Sequence, residues 1–341
     1  MYSNERKINR LFLYWLSISL LLVFFIIIVG GLTRLTNSGL SITEWELFKG
    51  ILPPLNKSTW VFYFDEYKKI PQYKFLNNDM TLNEFKIIFY WEYFHRILAR
   101  LIGLFFLIPI IYFFLSKKIK KNYMNICYMI FALIVFQGII GWYMVKSGLV
   151  NDISVSHYRL SIHLTIAVII ISIIFWLIKN IISKKSKIFF QFSYYNFPFH
   201  VLILLIFIQI IMGAFVSGLD AGKIYQTWPL MGNGFFPNDL YFDTYSKILE
   251  FDNHSLVQFY HRNLAYLILI YVIFLSIFIY KKKLKNLYNP LKLVFFFLFL
   301  QALLGILTLI SGLNIYLAST HQITSVLLVF SALNLYYLRA K

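Results

Sequence analysis

At 341 residues the chain is long enough for two ordinary soluble domains, but 60% of its residues are hydrophobic and only 13% are charged, which excludes that class. The net charge of +18 sits largely in lysine clusters between apolar runs, so it reports membrane topology and calls for no nucleic-acid partner. The single cysteine, Cys127, excludes an internal disulfide and argues against a thiol-bound metal; it reads as a small apolar residue within a helix.

In chain order, eight apolar runs are long enough to cross the hydrocarbon core: 11–31, 91–115, 123–145, 158–178, 197–217, 259–280, 291–311 and 318–338. Only ten residues, Glu5 among them, precede the first run, which leaves no room for an amphipathic transit peptide. The run is also too long for a signal peptide and has no small-residue cleavage site, so a bacterial plasma membrane is expected. The connection 34–90 carries Pro53, Pro54, Pro71 and several aromatics, a composition that predicts a folded cap with short amphipathic helices over the membrane surface. Lys117, Lys118, Lys120 and Lys121 follow the second run. Lys179, Lys184, Lys185 and Lys187 follow the fourth, and Lys281, Lys282, Lys283 and Lys285 the sixth. These acid-free clusters predict cytoplasmic loops and two cytoplasmic termini. The connection 218–258, with Asp220, Asp239, Asp243, Glu250 and Asp252, belongs outside together with 34–90.

The chain repeats itself. Gly30, Gly39, Trp45 and Pro54 recur at one constant offset as Gly213, Gly222, Trp228 and Pro237. Gln137, Gly141, Ser147, Gly148 and Leu149 recur at another as Gln301, Gly305, Ser311, Gly312 and Leu313. The expected architecture is an all-α integral membrane protein of two pseudo-symmetric four-helix bundles, 1–185 and 186–341. Because four is even, both bundles should cross in the same sense, related by a pseudo-two-fold axis along the membrane normal.

Four histidines fall at matching places in that repeat: His95, His163, His261 and His321, each near the start of an even-numbered apolar run. That placement puts all four in one leaflet. A lone intramembrane histidine is often a packing residue, but four at equivalent depth fit axial ligation of two haem irons, two histidines per bundle. The shortage of acidic partners at equivalent positions argues against zinc or a di-iron carboxylate site. His157, His200 and His254 have no repeat partners and read as interfacial structural residues.

Glu92 lies one helical turn before His95, whereas Gln258 holds the equivalent position before His261. A carboxylate beside a haem can accept a proton or stabilise positive charge, and an amide can only hydrogen-bond. The first bundle therefore reads as a reaction site and the second as an electron carrier; the structural alternative pairs Glu92 with Arg96 or Arg100. Arg34, Arg96, Arg100, Arg159 and Arg262 gather near outer helix ends, where guanidinium groups suit haem propionates or snorkel to lipid headgroups. Arg96, Arg100 and Arg262, nearest the histidines, are the propionate candidates. Gly30, Gly31, Gly138, Gly141, Gly213 and Gly305 allow close helix packing and would admit a flat macrocycle beside the backbone.

These residues by themselves specify a two-haem membrane redox protein. A non-enzymatic di-haem b-type cytochrome is the main alternative, and unequal residues at 92 and 258 weigh against it. A transporter with repeated halves would carry broken helices and polar midplane residues, where this chain has mainly Ile, Leu and Phe.

Gly30-Gly31-Leu32-Thr33-Arg34-Leu35-Thr36 with Ser38-Gly39-Leu40-Ser41, Glu92-Tyr93-Phe94-His95-Arg96, Tyr158-Arg159-Leu160 leading to His163-Leu164, Val257-Gln258-Phe259-Tyr260-His261-Arg262 and His321-Gln322 together resemble the haem A synthase family over essentially the whole length. The resemblance implies haem O as substrate, bound in the first bundle at His95 and His163, with haem b as cofactor at His261 and His321. It implies Glu92 as the catalytic glutamate and oxidation of one porphyrin methyl to a formyl group by successive hydroxylations. The partners it implies are the lipid bilayer, a haem O synthase and an electron-transfer protein; a homo-oligomer is left open. Some members have a cysteine pair in an outer loop. Its lack here matches the mitochondrial and alphaproteobacterial branch.

Overall fold

The computed structural model describes residues 2–44, 49–241 and 245–340, with backbone alone for 2–9, 49, 151, 245 and 246. Trp45 and Asp243, used in the repeat and topology readings, lie outside the described residues. The described chain is helical, with one isolated bridge, Met231 to Gly234, in place of any sheet. The helices are α1 (Tyr2–Leu35), α2 (Lys57–Lys68), α3 (Pro71–Leu76), α4 (Leu82–Ser116), α5 (Lys121–Asn151), α6 (His157–Ser183), α7 (Phe197–Gly218), α8 (His254–Lys281), α9 (Tyr288–Ile310) and α10 (Ile315–Arg339). All except α2 and α3 are long and apolar enough to span a membrane, which gives the eight expected spans. Two compact units, Met1–Leu177 and Ile178–Lys341, divide the chain within α6.

Most spans start earlier than their apolar runs; α4 begins at Leu82 where the run begins at 91. Thr81 and Glu84 form a reciprocal capping box that starts the helix outside the apolar stretch. The added turns are amphipathic: Asn83 and Glu84 are exposed, while Phe85, Ile88 and Phe89 are buried. His95 keeps its place near the start of the apolar run but not near the start of the helix. It lies several turns into α4, whereas His163, His261 and His321 sit within about the first two turns of α6, α8 and α10.

In the first unit the buried face of α4 supports the connection between α1 and α4. Asn56 caps α2 by accepting from Thr59 N at 2.8 Å, and Trp60, Phe64 and Tyr67 of α2 pack with Phe85 and Phe89, Leu40 and Val155. The Tyr67 hydroxyl, buried beneath this layer, donates to Gln72 Oε1 at 3.0 Å and accepts from Asn77 Nδ2 at 2.7 Å. Burial pushes its pKa up to about 12, so it stays a neutral phenol that ties α2 to α3. Within the membrane, Trp15 Nε1 donates to the Phe105 carbonyl at 3.0 Å, fastening α1 to α4 among Phe12, Phe106 and Phe113.

In the second unit α7 packs on α8 and α10, and α9 packs on α10. Tyr271 of α8 donates to the Pro198 carbonyl of α7 at 2.8 Å. Below α10, Asn180 bonds both the carbonyl and the N–H of Lys187, and Tyr337 donates to the Lys179 carbonyl at 3.1 Å. Contact with neighbouring helices fixes these polar groups, because lipid offers them no water.

Candidate functional site: two histidine pairs

The histidines meet in pairs. His95 of α4 faces His163 of α6 with ring centres 6.4 Å apart and planes at 65°; His261 of α8 faces His321 of α10 at 6.5 Å and 85°. Two imidazoles sharing one metal, at about 2 Å per bond, bring their ring centres to roughly 6 Å. Among the described residues no group of three or more His, Cys, Asp or Glu side chains could hold a bare metal ion. A metal between each pair must therefore bring most of its own donors. A porphyrin supplies four in a plane and leaves two axial positions for histidine, so the donor set fits haem. Nδ1 of His95, His163 and His321 is buried without a hydrogen-bond partner.

Each ring rests on a glycine of the preceding membrane span. A Cβ added at Gly30, Gly141, Gly213 or Gly305 would come within 3.0, 3.1, 3.2 or 3.2 Å of Cε1 of His95, His163, His261 or His321 respectively. Four of the glycines read from the sequence thus seat histidine rings. Gly138 is a correction to the close-packing reading, since a Cβ there meets nothing within 4 Å. Gly213→Val or Gly305→Val should displace the imidazole and destabilise its site by about 1–3 kcal/mol, the usual cost of overpacking. The expected readout is a shift of that haem from low spin to high spin. Gly138→Val is the matched control, and unchanged spectra in all three variants would contradict the seating.

Three histidines have a further brace that the sequence reading did not assign. Gln137 Nε2 donates to the His163 carbonyl at 2.8 Å, Gln209 Nε2 to the His261 carbonyl at 3.0 Å, and Gln301 Nε2 to the His321 carbonyl at 2.8 Å. Every one of these glutamines precedes its seating glycine by one turn. Their signal is Gln-x-x-x-Gly, legible in α5, α7 and α9 when odd-numbered spans are set against one another. In α1 the corresponding residue before Gly30 is Ile26.

Glu92 and its repeat partner hold the same loop position by opposite means. Glu92 Oε2 accepts from Ser41 Oγ and from Ile42 N, both at 2.8 Å, while Oε1 accepts from Arg96 Nε at 3.1 Å and Nη2 at 2.6 Å. Arg96 Nη2 also donates to the Ile42 carbonyl at 2.9 Å. The Glu92 side chain is 3% exposed and that of Arg96 12%, so this is a nearly buried, multiply bonded ion pair. In the second unit Gln258 Nε2 and Arg262 Nη2 both donate to the carbonyl of Tyr225, the repeat equivalent of Ile42, each at 2.9 Å.

The other arginines also reach loop or side-chain oxygens. Arg100 Nη1 donates to the Gly50 carbonyl at 3.1 Å, and Arg262 Nη1 to the Thr227 carbonyl at 2.9 Å. Arg34 bonds Asn37, and Arg159 bonds Ser147 and lies over Tyr143. Arg96 and Arg100 line a cleft with Ile42, Glu44, Gly50 and Tyr93 on the loop side of the first pair. His157 packs against Tyr158, His200 packs between Phe190 and Tyr336, and His254 opens α8.

Eight membrane-spanning helices carrying two histidine pairs, with no group of three or more potential metal-binding side chains among the described residues, define a multi-pass membrane protein of the haem-binding class. Residues 13–333 match the family model COX15-CtaA, cytochrome oxidase assembly protein, and the chain belongs to that family. It is 48% identical to a haem A synthase of Pelagibacter ubique over 97% of both chains. Haem A synthases of Flavobacterium johnsoniae and Agrobacterium fabrum are 39% and 40% identical, over 95% and 96% of this chain and 96% and 90% of theirs. The chain is accordingly a membrane-bound oxidoreductase.

Proposed function

We propose that this chain is a haem A synthase that oxidises one methyl group of haem O to a formyl group by successive hydroxylations. In this reading the repeat units are 1–185 and 186–341. His95 and His163 hold the substrate in the first, beneath the cap 34–90, and His261 and His321 hold a haem b cofactor in the second. The cofactor, when bound, supplies one-electron chemistry at its iron.

One observation carries this division of labour. Two histidine pairs of nearly equal geometry stand beside unequal polar collars, Glu92 with Arg96 in one and Gln258 with Arg262 in the other. The donors from Ser41, Ile42 and Arg96 occupy both oxygens of Glu92. It therefore serves the reaction as a fixed negative charge, and accepts a proton only when one of those donors moves away. Arg96, Arg100 and Arg262 are the proposed propionate partners; a propionate there competes with the loop carbonyls they hold. The similar ring separations favour one other reading, a non-enzymatic di-haem b-type cytochrome, in which Glu92 would only brace the loop through Ser41, Ile42 and Arg96. In cells that make haem O, expression of the chain should yield haem A. Pigment that remains haem O would contradict the reading.

We also place the chain in a bacterial plasma membrane, with both termini and the loops bearing Lys117, Lys184 and Lys282 in the cytoplasm and 34–90 and 218–258 outside. A haem O synthase would deliver the substrate, and a separate electron-transfer protein would take the electrons. Single cysteines placed in each loop of a Cys127→Ser background should label from the assigned side only. A lysine loop labelled from outside would reverse the orientation.

A further inference from the structure

The two histidine pairs are alike in ring spacing and glycine seating, yet they are not equally braced. His163, His261 and His321 each receive a glutamine amide on the backbone carbonyl from the helix that seats the ring. Gln209 reaches further: its Nε2 lies 3.2 Å from Nδ1 and 3.4 Å from Nε2 of His261, over the nitrogen edge of the ring. Oε1 of Gln137 and of Gln209 is buried with no partner, as is Nδ1 of His163. Each side-chain amide thus has both donor and acceptor capacity beside the ligand it braces. Gln301 additionally bonds Thr324, one turn beyond His321 in α10. At His95 the pattern stops. Ile26 occupies the bracing position, and among the described residues no side chain hydrogen-bonds the ring or the carbonyl of His95.

Partners behind a ligating imidazole fix its orientation and tautomer, and removing such a partner typically weakens metal binding about 10- to 100-fold. The Gln209 amide touches the His261 ring itself, while Gln137 and Gln301 hold the backbone of His163 and His321 in place against the seating helix. His95 has neither tie among the described residues, so its backbone can shift against α1 and carry the ring off Gly30. We infer that Gln137, Gln209 and Gln301 are positioning residues for His163, His261 and His321, and that His95 is the ligand that lets go when the haem of the first unit is exchanged. The inference rests on the first unit being the substrate site. It explains why one unit has an unbraced ligand: a substrate must leave after each reaction cycle, and a resident cofactor must stay.

The test is haem transfer from the full-length holoprotein to excess apomyoglobin, followed by absorbance, with the phase lost in His95→Ala assigned to the first unit. Wild-type protein should release haem in two phases, the first unit being the faster. Gln209→Ile should accelerate the slow phase about 10- to 100-fold and raise the high-spin fraction of that haem, leaving the fast phase unchanged. Ile26→Gln should slow the fast phase by a similar factor. Gln137→Ile, which leaves α1 intact, gives a second reading in the same unit and should accelerate the fast phase further. A slow phase indifferent to Gln209→Ile, or a fast phase indifferent to both Ile26→Gln and Gln137→Ile, would overturn the inference. The identity of the haem released in the fast phase is a separate readout. Haem b there would sink the substrate assignment, while the response of the phases would still decide the bracing.

Discussion

Replacing Glu92 with glutamine should leave a folded protein that retains its haem b but makes no haem A, accumulating haem O or a hydroxylated intermediate. The second unit shows how an amide fits this place, since Gln258 donates to the Tyr225 carbonyl beside Arg262. In the first unit the same amide can turn to the Ile42 carbonyl that Arg96 already holds. It cannot accept as a carboxylate does from Ser41, Ile42 and Arg96 together. Losing those charge-assisted bonds should cost about 1–3 kcal/mol of stability. Loss of a preorganised charge or donor that stabilises the reacting group typically slows the chemical step by about 10²- to 10³-fold. A Glu92 that merely braces the loop predicts the stability loss without the selective block. Wild-type haem A content in cells carrying Glu92→Gln would refute a role in the reaction.

Substituting His261 or His321 by alanine should abolish tight haem binding in the second unit, because each change removes one of the two histidines proposed to hold the iron and the neighbouring Gly213 or Gly305 offers no replacement. The low-spin bis-histidine spectrum of that site should vanish. Melting should also fall: a ligand bound at about a thousand times its dissociation constant stabilises the folded state by about 4 kcal/mol, and that contribution would be lost. Stoichiometric haem b with an unaltered spectrum in both variants would exclude these histidines as the ligands.

Much of this architecture is legible in the sequence because lipid imposes strong rules. Eight spans follow from apolar length, and the four histidines stand out because ionisable groups are costly in hydrocarbon and these recur in register. The start of α4 was not legible as an apolar run, since its first turns face the connecting helices on one side only and are set by the Thr81–Glu84 box. The ring seats at Gly30, Gly141, Gly213 and Gly305 were legible as glycines but not as seats. Packing against a histidine on another helix leaves no mark beyond a missing side chain. Gln137 and Gln301 stood out as a repeated pair, and the Gln-x-x-x-Gly pattern they share with Gln209 emerges when odd spans are compared, but the backbone carbonyls they reach are groups every residue possesses. The arginine partners were hidden for the same reason: Arg96, Arg100 and Arg262 donate to carbonyls of Ile42, Gly50 and Thr227, groups every residue possesses.

Pigment extraction from the purified full-length protein tests the central claim most directly. A synthase with unequal units predicts one haem b per chain together with haem O or haem A, the second pigment lost in His95→Ala and the first in His261→Ala. Two haem b per chain and no other porphyrin would contradict it and leave an electron-carrying cytochrome in its place.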